Sequence, residues 1–289
     1  MDSTGLKRNN NEKYYTNIDI IELIRTYIKK SVVIKENDLI IEPSAGNGAF
    51  IDLIKSYECN YKFIDIEPEN EIIEKEDFLQ YNPNGNYDNI HVIGNPPFGR
   101  QSSLAIKFIK KAAIYSSSIS FILPKSFKKE SMRSKFPLNY HLIFERDLPE
   151  GSFNINGKVY DVPCIFQIWK RRNYNREAMK KLDPTDFTFV KKEEIPDISF
   201  RRVGVYAGKI DTKIDDKSIQ SHYFIKFNNK QNKIKNIQIF KDLKFEFNNS
   251  VGPKSISKQE LIHKYNDYLF LGVNECPQPQ LEANVLSTL

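Results

Sequence analysis

The chain has 289 residues, of which 40% are hydrophobic and 28% charged, and a formal net charge of +6. This balance excludes a disordered or fibrous chain, and with no run of about 18 apolar residues no membrane partner is expected. Cys59, Cys164 and Cys276 lie far apart, without a CxxC or a Cys/His cluster, so neither a disulfide framework nor a metal site is expected. The polar start MDSTGLKRNNNEK lacks the apolar stretch of a secretion signal, which points to an intracellular protein, cytoplasmic or, in a eukaryote, nuclear.

Apolar residues at helical spacing in IDIIELIRTYIKK predict a helix over 18–30, and DLIIE predicts a short buried strand over 38–42. After a glycine turn, AFIDLIKSY reads as a helix. YKFIDIEP is a second strand, IHVIGNPP a third, SLAIKFIKKAAIYS a helix and SISFILP a fourth strand. Such alternation gives an α/β, Rossmann-like parallel sheet with helices on both faces. YHLIFERDLP and VPCIFQIWKR would complete it as antiparallel edge strands. Near residue 175 the pattern changes. RRNYNREAMKKLDPTDF is charged and turn-rich, and FTFV, SFRRVGVYAG, HYFIKF and NIQIF beyond it read as short strands. Ser257 with Glu260 three positions on is a capping box opening a short helix. We therefore divide the chain into residues 1–174 and a smaller β-rich module, 175–289, whose end NECPQPQLEANVLSTL is expected to be loose. Residues 171–289 carry 21 Lys+Arg against 15 Asp+Glu, while residues 1–170 carry 22 of each. An excess on the second module suits phosphate contact, though a solvated face gives the same bias.

IIEPSAGNGAF sets Glu42 at a strand end and Gly46 and Gly48 in the turn that enters a helix. Glycines there let a ligand approach the backbone, and N–H groups at the helix start suit a carboxylate. The third glycine of a dinucleotide fingerprint is missing, since Ala49, Phe50 and Ile51 follow, which favours a smaller nucleoside over a pyrophosphate. Asp65 closes the second strand in FIDIEP, where an acid of a doubly wound sheet accepts from ribose hydroxyls; a plain turn role is also open to it. KEDFLQY adds Asp77, a carboxylate for an adenine amine, and Phe78, a ring for its face. GNPPFGRQ follows a strand, and alone its prolines are turn punctuation.

In that order, EPSAGNGAF, FIDIEP, EDF and NPPF resemble the motifs of S-adenosylmethionine-dependent N6-adenine methyltransferases of the gamma arrangement, over roughly residues 13–172. The resemblance implies a Rossmann-like methyltransferase domain followed by a target-recognition module. It implies S-adenosyl-L-methionine as cofactor, held by Tyr15, Thr16, Glu42, Ala45, Gly46, Gly48, Asp65, Ile66, Asp77 and Phe78. Catalysis would fall to Asn95, Pro96, Pro97 and Phe98, and the partner would be nucleic acid, DNA favoured over RNA, bound by a monomer. KYYTN departs from the family's aromatic-Thr-Pro segment by Asn17 in place of the proline. DLPEGSF puts Phe153 where the family packs an aromatic against the extruded adenine, opposite Phe98; a loop aromatic packed on the core is the plainer role for it.

The chemistry needs such residues for a reason independent of family. An amine conjugated to an aromatic ring is a poor nucleophile because its lone pair is delocalised. Acceptors aimed at both of its N–H hydrogens, the Asn95 side-chain oxygen and the Pro96 carbonyl, draw the nitrogen toward tetrahedral geometry. Two prolines keep those acceptors aimed, Phe98 can stack on the target ring, and displacement then depends on positioning.

Glutamine-N5 protein methyltransferases also place NPP[YF] after a glycine-rich motif, but they carry their extra domain before the catalytic one. A nucleic-acid-binding protein without transfer activity has no physical reason to keep Asn95-Pro96-Pro97-Phe98. GVYAGKI lacks the spacing of a phosphate-binding loop and reads as strand and turn. Arg201, Arg202, Lys254 and Lys258 can contact phosphates, with a solvated face as the default for each. His91, His141, His222 and His263 show no catalytic or metal pattern.

Overall fold

The computed structural model describes residues 15–155, 158–178, 180–245 and 254–271. The chain parts into two compact units near residue 179. The expected loose tail from residue 274 onward lies outside the described residues.

The first unit opens with a two-residue strand, β1 (Tyr15–Thr16), and helix α1 (Ile18–Ser31), whose Ile20, Ile21, Ile24 and Ile28 form one buried stripe. Strand β2 (Leu39–Glu42) is buried along its whole length, as a strand covered on both faces must be. Helix α2 (Ile51–Lys55), β3 (Asn60–Asp65), β4 (Glu74–Lys75), β5 (Ile90–Gly94), α3 (Ser103–Tyr115), β6 (Ser118–Pro124), α4 (Glu130–Arg133), β7 (Tyr140–Asp147), β8 (Phe153–Ile155), β9 (Lys158–Tyr160) and β10 (Cys164–Arg171) follow. Seven strands make one sheet in the order β4-β3-β2-β5-β6-β10-β7, and β1, β8 and β9 make a small antiparallel sheet. Alternate residues of each central strand face opposite sides. Ile40, Ile93 and Ile122 join the isoleucines of α1 and Leu53 and Ile54 of α2 on one face. Leu39, Ile41, Val92, Ile119 and Phe121 join Ala105, Phe108, Ile109 and Ala112 of α3 on the other.

The Rossmann-like sheet is as expected, but its closing strands are not. β10 is antiparallel to both β6 and β7, so it is an inner strand, and β7, the edge, runs parallel to the rest. The buried run Cys164–Ile168 explains this: it is covered on both faces, as only an interior strand can be. Helix α2 also covers only Ile51–Lys55 of the predicted AFIDLIKSY.

The second unit holds β11 (Phe187–Val190), β12 (Ile198–Arg201), β13 (Ile210–Asp211), β14 (His222–Phe227), α5 (Lys233–Asp242) and α6 (Lys258–Leu271). Its four strands form an antiparallel sheet in the order β11-β14-β12-β13. NIQIF, expected as a strand, lies inside α5. Its five residues alternate, but the buried set Asn236, Ile239, Phe240 and Leu243 repeats at i, i+3, i+4 and i+7, and packing against Phe187, Phe200 and Tyr265 selects the helix. The capping box is formed: Ser257 N–H donates to Glu260 Oε2 at 2.7 Å and Glu260 N–H to Ser257 Oγ at 3.2 Å. The helix it opens runs 14 residues, longer than the short helix expected. No helix among the described residues is long and apolar enough to cross a membrane.

Candidate active site

Strands β2, β3 and β5 end along the same edge of the sheet. From β2 the chain builds outward to β3 and β4, then crosses back to place β5 on the other side of β2. Ligands of doubly wound sheets bind in the crevice at such a reversal. Here the ends of β2 and β5 nearly touch: a Cβ added at Gly94 would lie 3.4 Å from both Glu42 Cγ and Pro43 Cδ. Ser44 Oγ donates to the Asn95 carbonyl at 3.1 Å, tying the NPPF segment to the glycine turn.

Glu42 closes β2 with 1% of its surface exposed, and its Oε2 has no hydrogen-bond partner among the described residues. Burial, reinforced by the nearby negative charge of Asp65, raises its pKa well above the usual carboxylate range. An acid in that state is a standing demand for a cation or a donor.

The turn after β2 puts Gly46 at φ +53° and Gly48 at φ +90°, the left-handed region that glycine enters without strain. The glycines are expected to let a ligand approach the backbone and the following helix start to offer free N–H groups, and here the structure differs. Gly46 N–H donates to Asp65 Oδ2 at 2.8 Å, and Gly48 N–H closes a turn on Ala45 O at 2.7 Å. The helix that was to supply further donors is the five-residue α2. Asp65 Oδ1 also accepts from Glu67 N–H at 2.8 Å, so Asp65 clamps the glycine turn to the end of β3. A carboxylate can accept about four hydrogen bonds, which leaves room for a ligand hydroxyl.

The short β1 reaches this edge by pairing with β8, Tyr15 opposite Asn154 and Thr16 opposite Phe153. Tyr15 hydroxyl donates to the Glu69 carboxylate at 2.8 Å, while Glu69 N–H donates to Gly46 O at 3.0 Å. Asn17, which stands where the resembled family has proline, uses its side chain as a brace: its amide donates to Gly151 O at 2.6 Å and accepts from the Asn154 amide. Thr16, 9% exposed, meets the Asn95 amide nitrogen at 3.4 Å. Glu69, Asn17 and Ser44 brace this edge and are candidate site residues that the motifs did not single out. FIDIEP ended at its acid, and the value of Glu69 four residues later emerges only from its closure on Tyr15.

The remaining residues divide. Ala45 is buried, Ile66 is 62% exposed beside Asp65, and Asp77 is exposed with Oδ1 accepting from Leu79 N–H at 2.9 Å. Pro96 is buried, Pro97 exposed, and Phe98 half-buried. Phe78 and Phe153 are each 1% exposed. Phe78 packs on Phe108, ring centroids 5.1 Å apart, beneath the other face of the sheet. Phe153 is enclosed with the α1 isoleucines and Phe166. In this arrangement neither ring offers a face to an adenine; both serve the core.

Residues 33–182 match the family model described as the EDM2 methyltransferase-like domain. No curated protein matches. Among solved structures, a candidate RNA methyltransferase of Pyrococcus horikoshii is 15% identical, covering 58% of this chain and 92% of its own, with a TM-score of 0.45. A candidate class I S-adenosylmethionine-dependent methyltransferase of Listeria monocytogenes is 15% identical, covering 62% and 66%, with a TM-score of 0.43. Magnesium protoporphyrin IX methyltransferase of Synechocystis PCC 6803, with S-adenosylmethionine bound, is 12% identical, covering 54% and 79%, with a TM-score of 0.40. The family match spans half of the sequence and takes in the glycine turn, Asp65 and the NPPF segment; the chain belongs to the EDM2 methyltransferase-like domain family.

Proposed function

We propose that the chain transfers a methyl group from S-adenosylmethionine to the exocyclic N6 amine of adenine in a polynucleotide, DNA before RNA. The observation that carries this reading is the meeting, at the sheet's reversal point, of Asn95-Pro96-Pro97-Phe98 with a buried carboxyl whose Oε2 has no partner among the described residues. The residues fit the cofactor: an α-ammonium at Glu42 supplies the donor its Oε2 lacks, Asp65 retains acceptor capacity for ribose hydroxyls, and exposed Ile66 offers an apolar surface for a purine. When bound, the cofactor supplies an electrophilic methyl group on a sulfonium.

The chain's own work is on the amine. Contact between the Asn95 amide nitrogen and Thr16 Oγ1 turns the amide so that Oδ1 is the end left without a partner among the described residues. Oδ1 then accepts one amine N–H and the Pro96 carbonyl the other, localising the nitrogen lone pair. The Ser44 hydroxyl on the Asn95 carbonyl fixes the backbone from which both acceptors project. Phe98, half-buried and packed against both core clusters, is the ring left to stack on the target base. As the new N–C bond formed, the S–C bond of the sulfonium would break to leave a neutral thioether, and the nitrogen would shed its proton to water.

Incubation of the chain with methyl-labelled S-adenosylmethionine and, in parallel, DNA, RNA and protein pools, followed by mass identification of the labelled product, tests the reading. N6-methyladenine is the expected product. Label recovered in glutamine would overturn it in favour of a protein substrate.

A further inference from the structure

The second unit holds a cavity of about 350 Å³ whose walls include Arg201, Tyr206, Lys209, Lys217 and His222. It is built from the segment RRVGVYAGK. Arg201 N–H donates to Lys209 O and Gly208 N–H to Arg201 O, both at 2.8 Å, so the loop closes on itself and sets Arg201 and Lys209 side by side. Gly204 at φ +97° and Gly208 at φ +96° make that closure possible.

The cations of this cavity are not equivalent. Lys217 is neutralised, with Nζ 2.8 Å from Asp211 and 3.1 Å from Asp216. Among the described residues Arg201 is held by neutral acceptors, Nε on Val203 O at 2.8 Å and Nη1 on Ser221 Oγ at 3.2 Å. Lys209 is exposed, and its ammonium lies 4.6 Å from the centroid of the Tyr206 ring without a carboxylate among the described residues. Two adjacent positive charges, Arg201 on neutral acceptors and Lys209 over an aromatic ring, thus have no ion-pair partner among the described residues, while Asp211 of the same wall is taken by Lys217. Tyr206, 61% exposed, leaves ring surface open beside them.

Resting on the polynucleotide reading above, we propose that this cavity takes one nucleotide of the substrate strand away from the target adenine: a backbone phosphate between Arg201 and Lys209, and a base stacked on Tyr206. The volume suits a nucleotide rather than a bare phosphate, and pairing an aromatic with backbone cations is how single strands are gripped without sequence readout. The loop carries no Walker spacing, so the phosphate is met by side chains rather than by a ring of backbone N–H groups.

The test measures binding of a fluorescent 12-nucleotide single-stranded DNA, and the RNA of the same sequence, to the full chain over a range of salt. Lys209→Gln is expected to weaken binding roughly ten-fold and to lower the log–log salt slope by about one, the signature of one lost phosphate contact. Tyr206→Ala is expected to weaken binding by a similar factor with the slope unchanged. Lys30→Gln, on the exposed last turn of α1, removes the same charge elsewhere and should leave the slope as it is. Thermal melts confirm that each variant folds. If wild type binds and both Lys209→Gln and Tyr206→Ala bind as tightly as wild type with its salt slope, the cavity proposal alone is overturned. Wild type that binds neither strand overturns the polynucleotide reading as well.

Discussion

The two ends of the central sheet carry buried polar clusters of opposite kinds. At the carboxyl end, Glu42 is buried with an oxygen that no described residue satisfies. At the amino end, Asp38, His91 and Ser118, all at most 3% exposed, satisfy one another: His91 Nδ1 lies 2.7 Å from Ser118 Oγ and Nε2 3.2 Å from Asp38 Oδ2. Asp38 also accepts from Lys35 N–H at 2.8 Å and the Asn89 amide at 3.1 Å. Burial works against its ionisation, but these bonds outweigh burial and lower its pKa. One acid is satisfied within the fold and the other keeps a demand that the described residues do not meet, and that difference is what supports reading Glu42 as a ligand position.

The comparison breaks most sharply if the satisfied cluster proves dispensable. Asp38→Ala strands the buried His91 ring and two part-buried donors and should cost about 3 kcal/mol in a urea melt, without altering the methyl acceptor. Asn95→Ala should do the reverse, cutting turnover by roughly 10²-fold, or about 2.7 kcal/mol, while melting like wild type. Glu42→Gln sharpens the contrast through pH. The folded state holds the Glu42 proton to higher pH than the unfolded state does, so its burial erodes stability as pH rises above about 4.3. The variant should therefore lose affinity for S-adenosylmethionine by calorimetry yet show a flatter fall in ligand-free melting temperature toward neutral pH. His91 gives a smaller effect of opposite sense. Burial lowers its pKa despite the Asp38 contact, so the folded state refuses a proton that the unfolded state takes near pH 6.5. Stability is complete above that pH and falls below it, and His91→Asn should reduce that slope. Tyr15→Phe, removing an exposed hydroxyl contact to Glu69, should shift the melt by less than about 1 kcal/mol while weakening cofactor binding.

What was legible in the sequence followed from contiguity. The glycine turn, Asp65 and NPPF are compact because each occupies one strand end, and a parallel sheet gathers successive ends without further information. The Asp38–His91–Ser118 cluster was illegible for the converse reason. Its members are 53 and 27 residues apart, and they meet only because the register sets His91 opposite Ser118 and Leu39, next to Asp38, opposite Ile90. Phe78 and Phe153 show a different limit. A motif fixes where an aromatic stands along the chain, but which way its ring turns depends on the nearest cavity in the core, supplied here by Phe108 for one and by α1 for the other. NIQIF failed because five residues are too few to separate a period of 2 from one of 3.6 when both end on Ile-Phe.

The inward position of β10 carries a consequence for synthesis. Residues up to Asp147 emerge from the ribosome with β6 and β7 already made, yet the strand that joins them is the last of the sheet to appear. Until Arg171 is out, both β6 and β7 present open edges, the condition under which chains pair with the wrong neighbour. The segment that delays closure is the one that returns along the site edge as β8 and β9 and is pinned where Leu148 N–H meets Cys164 O and Lys125 N–H meets Pro163 O. Truncation anywhere between 148 and 171 should therefore yield aggregate rather than a smaller enzyme, because the nascent domain becomes a closed sheet only with its final strand.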